Sequence, residues 1–345
     1  SSTVAHPGPW LTTVAAGTHN RDGVGSVTLG NGASYTGASV ATPVGPAPLI
    51  DSVAAGVAGA VPADVELCVP GTLDPALVVG KIVICKRGVI ARVDKSLAVQ
   101  TAGGVGMIMY NSPNSSLNAD FHFVPTVHVD QASGLAVKAY AATPGATAAI
   151  NASTIVFNAP APFTASFSSR GPLLAGNGDI LKPDLIAPGQ DILAAVAPPG
   201  NAGRDFDLYS GTSMSSPHVA GLAALLKELK PNWSPMAIKS ALMTTGYDVL
   251  DGGTPAPNTN PVLIFRQGAG HVRPNSAMDP GLVYDSGYTD WLNFICGVQP
   301  GSFCSAFTPI DPSNLNQASI AIGDLAGTQT VTRKVTNVSG SALTV

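Results

Sequence analysis

One eleven-residue run constrains this chain more than any other: Gly211-Thr212-Ser213-Met214-Ser215-Ser216-Pro217-His218-Val219-Ala220-Gly221, continued by the apolar Leu222-Ala223-Ala224-Leu225-Leu226. Gly211 predicts a tight backbone turn, and Pro217 is tolerable in the first turn of a helix. Ala220, Gly221, Ala223 and Ala224 give that helix a thin profile suited to close packing. The run therefore reads as a buried helix with Ser213 at its N-terminus. Backbone N–H groups converge at such an end and can stabilise an oxyanion forming beside the hydroxyl, which makes Ser213 a candidate nucleophile. A serine ahead of an apolar run also serves as a cap. The hydrolase signature G-x-S-x-G is excluded, because Ser215 stands where its second glycine belongs.

The bulk properties narrow the setting. At 345 residues the chain exceeds what one core usually supports, so two or more domains are expected. A formal net charge of −4, with 11% charged residues, excludes a basic surface for nucleic acid or anionic lipid. The 38 glycines and 29 prolines predict many turns on a rigid scaffold rather than helical repeats. No apolar run is long enough to span a bilayer, and the residues from Ser1 lack the regions of a signal peptide. The chain reads as soluble and as a piece of a secreted precursor.

Cysteine usage points the same way. Cys68/Cys85 and Cys296/Cys304 are grouped as two local bridges, with buried free thiols as the alternative. Neither pair has C-x-x-C spacing, so no zinc site is expected. Asn114, Asn151, Asn232 and Asn337 each open an N-x-S sequon, which matters only in a glycosylating secretory pathway.

Taken in order, Leu11 to Gly17 reads as a strand leading into a polar loop. From about Pro48 alternating elements begin. Lys81 to Cys85 is a buried strand, Asp94 to Ala102 a short helix closed by Gly103-Gly104, and Val105 to Tyr110 another strand. Asp130 caps a second helix near Ser133 to Tyr140. Gly103 to Gly106 follows a helix and enters a strand, the reverse of a dinucleotide cradle. His6 and His19 read as loop residues. His122 and His128 are spaced as metal ligands could be, but only Asp120 and Asp130 accompany them, so no metal site is expected. Ser234-Pro235 opens a further helix through Ala241 to a Gly246 stop.

The Gly211 to Gly221 run resembles the nucleophile motif of the subtilisin-like serine proteases, the subtilases. Ser166 to Pro172, Leu181 to Gly189, Gly268 to Val272, Asp279 to Tyr284 and Trp291 to Cys296 follow the pattern of plant-type and related bacterial members in the same order. Gly80 to Gly88, Ala102 to Ile108 and Val124-Pro125-Thr126 resemble a protease-associated (PA) domain. The resemblance implies an α/β fold with a mostly parallel sheet flanked by helices and a small β-rich PA insert. It divides the chain into catalytic domain at 1–47 and 153–310, PA insert at 48–152, and the start of a fibronectin-III-like domain at 311–345. It assigns Asp184 a structural place, accepting backbone N–H bonds, rather than a triad role.

It further implies a serine endopeptidase acting on polypeptides through an acyl-enzyme on Ser213, extracellular, with no cofactor and with the PA module available for self-association. The alternative is a non-catalytic binding protein using that module. In subtilases the order along the chain is Asp, His, Ser, and the stretch Ser1 to Trp10 resembles the one just after the oxyanion Asn. Only Ser213 carries over as a triad member. His218 shares its helix and has a structural place. The isolated chain is accordingly expected to be inactive.

Overall fold

A computed structural model describes residues 2–113, 115–251, 260–342 and 344. The Asn114 sequon lies outside them. The chain divides into two compact units, one of Ser1–Thr18, Ala161–Gln190 and Gly211–Val345, the other of His19–Pro160 and Asp191–Ser210.

The first strand, β1 (Val14–Gly17), belongs to the first unit and is buried throughout. The second unit then builds an eight-stranded sheet from β2 (Asp22–Leu29), β3 (Ser34–Ala38), β4 (Val44–Asp51), β5 (Ile82–Lys86), β6 (Gly106–Tyr110), β7 (Thr126–Val129), β8 (Thr147–Ile150) and β9 (Thr154–Val156). Their order is β3-β7-β6-β5-β4-β8-β2-β9, and a further β2–β3 pairing closes the sheet on itself. The first two of these strands lie ahead of residue 48.

Strands β4 to β7 run parallel, Leu49 opposite Ile82, Ile82 opposite Gly106 and Met107 opposite Thr126. Parallel strands are covered on both faces and so read as unbroken apolar runs, which is why β5 and β6 were legible without alternation. Ile82, Ile84, Ile108 and Tyr110 enter one core; Val83, Cys85, Met107 and Met109 enter another.

Helices α1 (Pro62–Glu66), α2 (Pro75–Val78), α3 (Arg92–Thr101) and α4 (Gln131–Ala141) connect the strands. α3 starts earlier than the expected Asp94. Ala91 occupies the N-cap without a side-chain bond, and Asp94 sits in the first turn, where its charge favours the helix dipole. Asp130 caps α4 as expected, accepting the Ser133 N–H at 2.7 Å. The cysteines are all paired, Cys68 with Cys85 and Cys296 with Cys304. The first bridge ties the turn after α1 to β5 across a loop of separation 17, worth about 3 kcal/mol by loop-closure entropy.

The second unit holds two histidines in its interior as neutral rings. His128 Nδ1 accepts the Asn118 N–H at 3.1 Å, so its Nε2–H donates to Asn111 Oδ1 at 3.2 Å. Ser96 Oγ donates to the Val93 carbonyl, so His122 Nδ1–H donates to Ser96 Oγ at 3.0 Å. Burial pulls His122 down to about 4 and His128 to about 3, from an ordinary value of 6.5. Between those values and 6.5 the unfolded chain binds protons that the folded unit does not. Stability therefore falls as pH drops below about 6.5, by about 1.4 kcal/mol per pH unit for each histidine. Urea titrations of this unit at pH 7, 5.5 and 4.5 should show that decline, and His128→Gln should make it about half as steep. A stability independent of pH over that range would refute the buried-neutral assignment.

The chain returns to the first unit with β10 (Leu185–Pro188), parallel to β1 with Val14 opposite Leu185. The hairpin β11 (Ile192–Ala195) and β12 (Phe206–Tyr209) belongs to the second unit. α5 (Thr212–Leu229) and α6 (Pro235–Thr244) then pack on the β1/β10 pair through Val14, Leu185, Ala187, Val219, Leu226, Ile238 and Leu242. α6 opens as the Ser-Pro pair predicts, Ser234 Oγ accepting the Ala237 N–H at 2.9 Å. Near the end, β13 (Leu282–Tyr284) pairs antiparallel with β14 (Val335–Asn337), both in the first unit.

Candidate active site

Ser213 is the second residue of α5 and is exposed. By helical geometry the first N–H groups of α5, including those of Thr212 and Ser213, have no carbonyl partner four residues back, and the dipole adds partial positive charge there. Pro217 falls in the second turn, later than expected, and cannot donate to the Ser213 carbonyl. Ser213 lines a cleft of about 430 Å³ together with His6, Leu11, Thr12, Thr13, Ser169 and Ser216, among others. Its hydroxyl makes no hydrogen bond among the described residues.

Two expectations about the run are corrected. Gly211 is extended (φ 171°), a conformation open to any residue, and a Cβ there would meet only ordinary contacts at 3.5 Å and beyond. The indispensable glycine is Gly189. A Cβ on it would strike Ser215 Oγ and come within 2.8 Å of Ala16 Cβ and of the Gly211 carbonyl, the residue that caps α5. Nor is α5 buried: only Ser215, Val219 and Leu226 are, while Ala220, Gly221, Ala224 and Leu225 face outward. The small residues permit close packing on a face that none of the described residues covers.

These contacts set opposite expectations for two glycines. Gly189→Ala should cost about 1–3 kcal/mol in thermal unfolding through overpacking. Gly221→Ala, with open space around it, should stabilise α5 by up to about 1 kcal/mol through helix propensity. Equal effects of the two would contradict the packing described.

Asp184 is fully buried, and its Oδ2 accepts the Thr13 N–H at 2.7 Å, the backbone bond expected of it. Sequence reasoning missed its cations. Lys182 Nζ lies 2.5 Å from Oδ2 and Lys239 Nζ 2.8 Å from Oδ1, both lysines almost wholly buried. Both ammonium groups also donate to the Leu11 carbonyl, at 2.9 Å, and Lys239 to that of Pro9 at 3.1 Å. The cluster thus clamps residues 9–13, of which Leu11, Thr12 and Thr13 line the cleft. Burial pulls Lys182 down to about 8 against the pull of Asp184.

The histidines are distributed elsewhere. His6 lines the cleft, in left-handed backbone (φ 62°), which its reading as a plain loop residue did not foresee. His218 Nδ1 bonds the Met214 carbonyl of its own helix at 2.8 Å, away from Ser213 chemistry. His19, in the second unit, accepts the Arg21 N–H at Nδ1 and bonds the Asp191 carbonyl through Nε2 at 3.2 Å. Among the described residues, therefore, Ser213 has exposed access, helix-terminal donors and a cleft, but no base bonded to it.

No helix of the described residues is long and apolar enough to cross a membrane. The subtilisin-like protease SBT1.7 of Arabidopsis thaliana is 43% identical over 369 aligned positions, covering 99% of this chain and 48% of that protein. SBT1.5 of the same plant is 43% identical over 320, covering 85% and 41%. The chain spans about half the length of these relatives. A psychrophilic subtilisin-like protease, Apa1 from an Antarctic Pseudoalteromonas, overlays 74% of this chain and 49% of its own at 19% identity with a TM-score of 0.25, too slight a likeness to carry weight. Residues 3–270 match the Subtilase family, and the chain belongs to it.

Proposed function

We propose that the chain is the nucleophile-bearing portion of a secreted serine endopeptidase. The observation that carries this reading is Ser213 itself, exposed at the N-terminus of α5 and lining the cleft. Ser213 Oγ attacks the substrate carbonyl carbon and forms the acyl-enzyme as the C–N bond breaks. The Ser213 backbone N–H supplies half of the oxyanion hole. The hydroxyl proton passes to a histidine base and on to the leaving amine, and water then releases the acyl group. In this reading the histidine, its orienting aspartate and the second oxyanion donor come from polypeptide outside residues 1–345. The outward apolar face of α5, with Ala220, Ala224 and Leu225, supports it, since such a face is what a further part of the domain would cover. Residues 48–152, which fall within the second unit, are read as the PA module, and the two disulfides suit an extracellular setting.

The test is a burst experiment. The full-length polypeptide containing this chain should release leaving group from an activated peptide ester in a stoichiometric burst followed by slower turnover. Linear release from the outset, unaffected by Ser213→Ala, would reject the reading.

A further inference from the structure

Among the described residues Asn151, Asn232 and Asn337 each open an N-x-S sequon. An N-linked oligosaccharide is carried on the asparagine Nδ2, so that nitrogen must face solvent in the finished fold. The sequon hydroxyl must also be free to bond its own asparagine. Donated to the amide oxygen, it draws charge onto that oxygen and acidifies the N–H that is lost when the sugar is joined. The three sites differ on both counts.

Asn151 is closed. Its Nδ2 donates to Ser26 Oγ at 2.9 Å and to Thr28 Oγ1 at 3.0 Å, so both N–H groups are spent on β2. The Ser153 hydroxyl donates to the Ala41 carbonyl at 2.9 Å instead of turning back to Asn151. A sugar on that nitrogen would break at least one of the bonds to β2. Asn232 is exposed, but its serine is occupied elsewhere. Ser234 Oγ accepts the Ala237 N–H as the cap of α6 and donates to Asp285 Oδ1 at 2.5 Å, and Pro235 fixes the backbone immediately after it.

Asn337 meets both conditions. It ends β14, a strand exposed along its length, and stands opposite Leu282 of β13. Its Oδ1 accepts the Ser339 N–H at 3.0 Å and the Ser339 hydroxyl at 2.8 Å, shorter than the 3.0 Å from that hydroxyl to the Ser341 carbonyl. Nδ2 donates once, to the Ser341 carbonyl at 2.7 Å. One N–H can therefore be replaced by a sugar while the other keeps that bond. All of these contacts fall within residues 337–341, so the arrangement does not depend on the rest of the fold.

We propose that Asn337 is an N-glycan attachment site. The inference rests on the secretory reading above. The donor is a lipid-diphosphate-linked oligosaccharide, held by the host's oligosaccharide transferase. A bond forms between Nδ2 and the anomeric carbon, and the bond from that carbon to phosphate oxygen breaks. The lipid diphosphate leaves with the electron pair, and the Nδ2 proton passes to a base of the transferase. The sugar also covers the open edge of β14, which pairs only with β13 among the described residues.

The test secretes the full-length polypeptide containing this chain from N-glycosylating eukaryotic cells. Peptide N-glycosidase in oxygen-18 water turns each glycan-bearing asparagine into a labelled aspartate, read by peptide mass. Label is expected at 337 in most molecules, with residues 151 and 232 remaining asparagine. Ser339→Ala should abolish the label at 337 and Ser339→Thr should keep it. Secreted polypeptide unlabelled at 337 would overturn the inference, as would label at 151 or 232 equal to that at 337. Polypeptide that never reaches the medium would overturn the secretory reading, and this inference with it. Should Ser339→Ala fail to fold, the wild-type map alone decides.

Discussion

Asp184→Asn is expected to destabilise the first unit by about 3–5 kcal/mol, the cost of leaving buried charge unpaired. The neutral amide retains the shape and can still accept the Thr13 N–H. It cannot neutralise Lys182 and Lys239, which are left as two ammonium groups in one dry site with only carbonyl oxygens for company. The loss also reaches the cleft, because both lysines hold the Leu11 carbonyl and so the wall beside Ser213. Chemical denaturation of the chain checks the magnitude. A change below about 1 kcal/mol would mean that the cluster is solvated. Lys182→Met in the Asp184→Asn background should recover part of the loss, since it removes one of the stranded charges.

The second large effect is catalytic. Ser213→Ala in the full-length polypeptide is expected to lower kcat by about four to six orders of magnitude, while substrate binding persists. The methyl group keeps the helix and the cleft but offers no nucleophile, so no acyl-enzyme forms. The residual rate is what oxyanion donors and binding alone supply. Loss of less than about a hundredfold, measured on freshly purified protein free of wild type, would place the nucleophile elsewhere.

How much of this was legible depends on whether a feature is local. The buried strands at 82–86 and 106–110 announce themselves as apolar runs, and Asp130 and Ser234 cap the helices they precede. The cysteine pairs are near neighbours in sequence, so their grouping anticipated the bridges. Asp184 was half legible: its run suggested a backbone acceptor, and Lys182 stands two positions away. Its third partner, Lys239, shares no pattern with it, and the segment the cluster clamps lies 228 positions from Lys239 at Leu11. Contacts of that kind leave no periodic trace. The same holds for Gly189, whose necessity comes from Ser215 across the turn rather than from its own backbone angles. α5 was misjudged for another reason. Small apolar residues allow a face to be covered, and whether it is covered depends on contacts with segments distant in sequence, which leave no local pattern.

On the proposed reading Ser213 is a nucleophile, set at the N-terminus of α5 and lining the cleft, with no base bonded to it among the described residues. Fluorophosphonate adduct formation, read by intact mass on the 345-residue chain alone and on the chain combined with a polypeptide supplying the family's Asp and His region, tests that claim most directly. The account predicts no adduct on the chain alone, and one adduct per chain, located at Ser213, in the combination. Stoichiometric labelling of Ser213 in the isolated chain would contradict it, as would a combination that folds together and stays unlabelled.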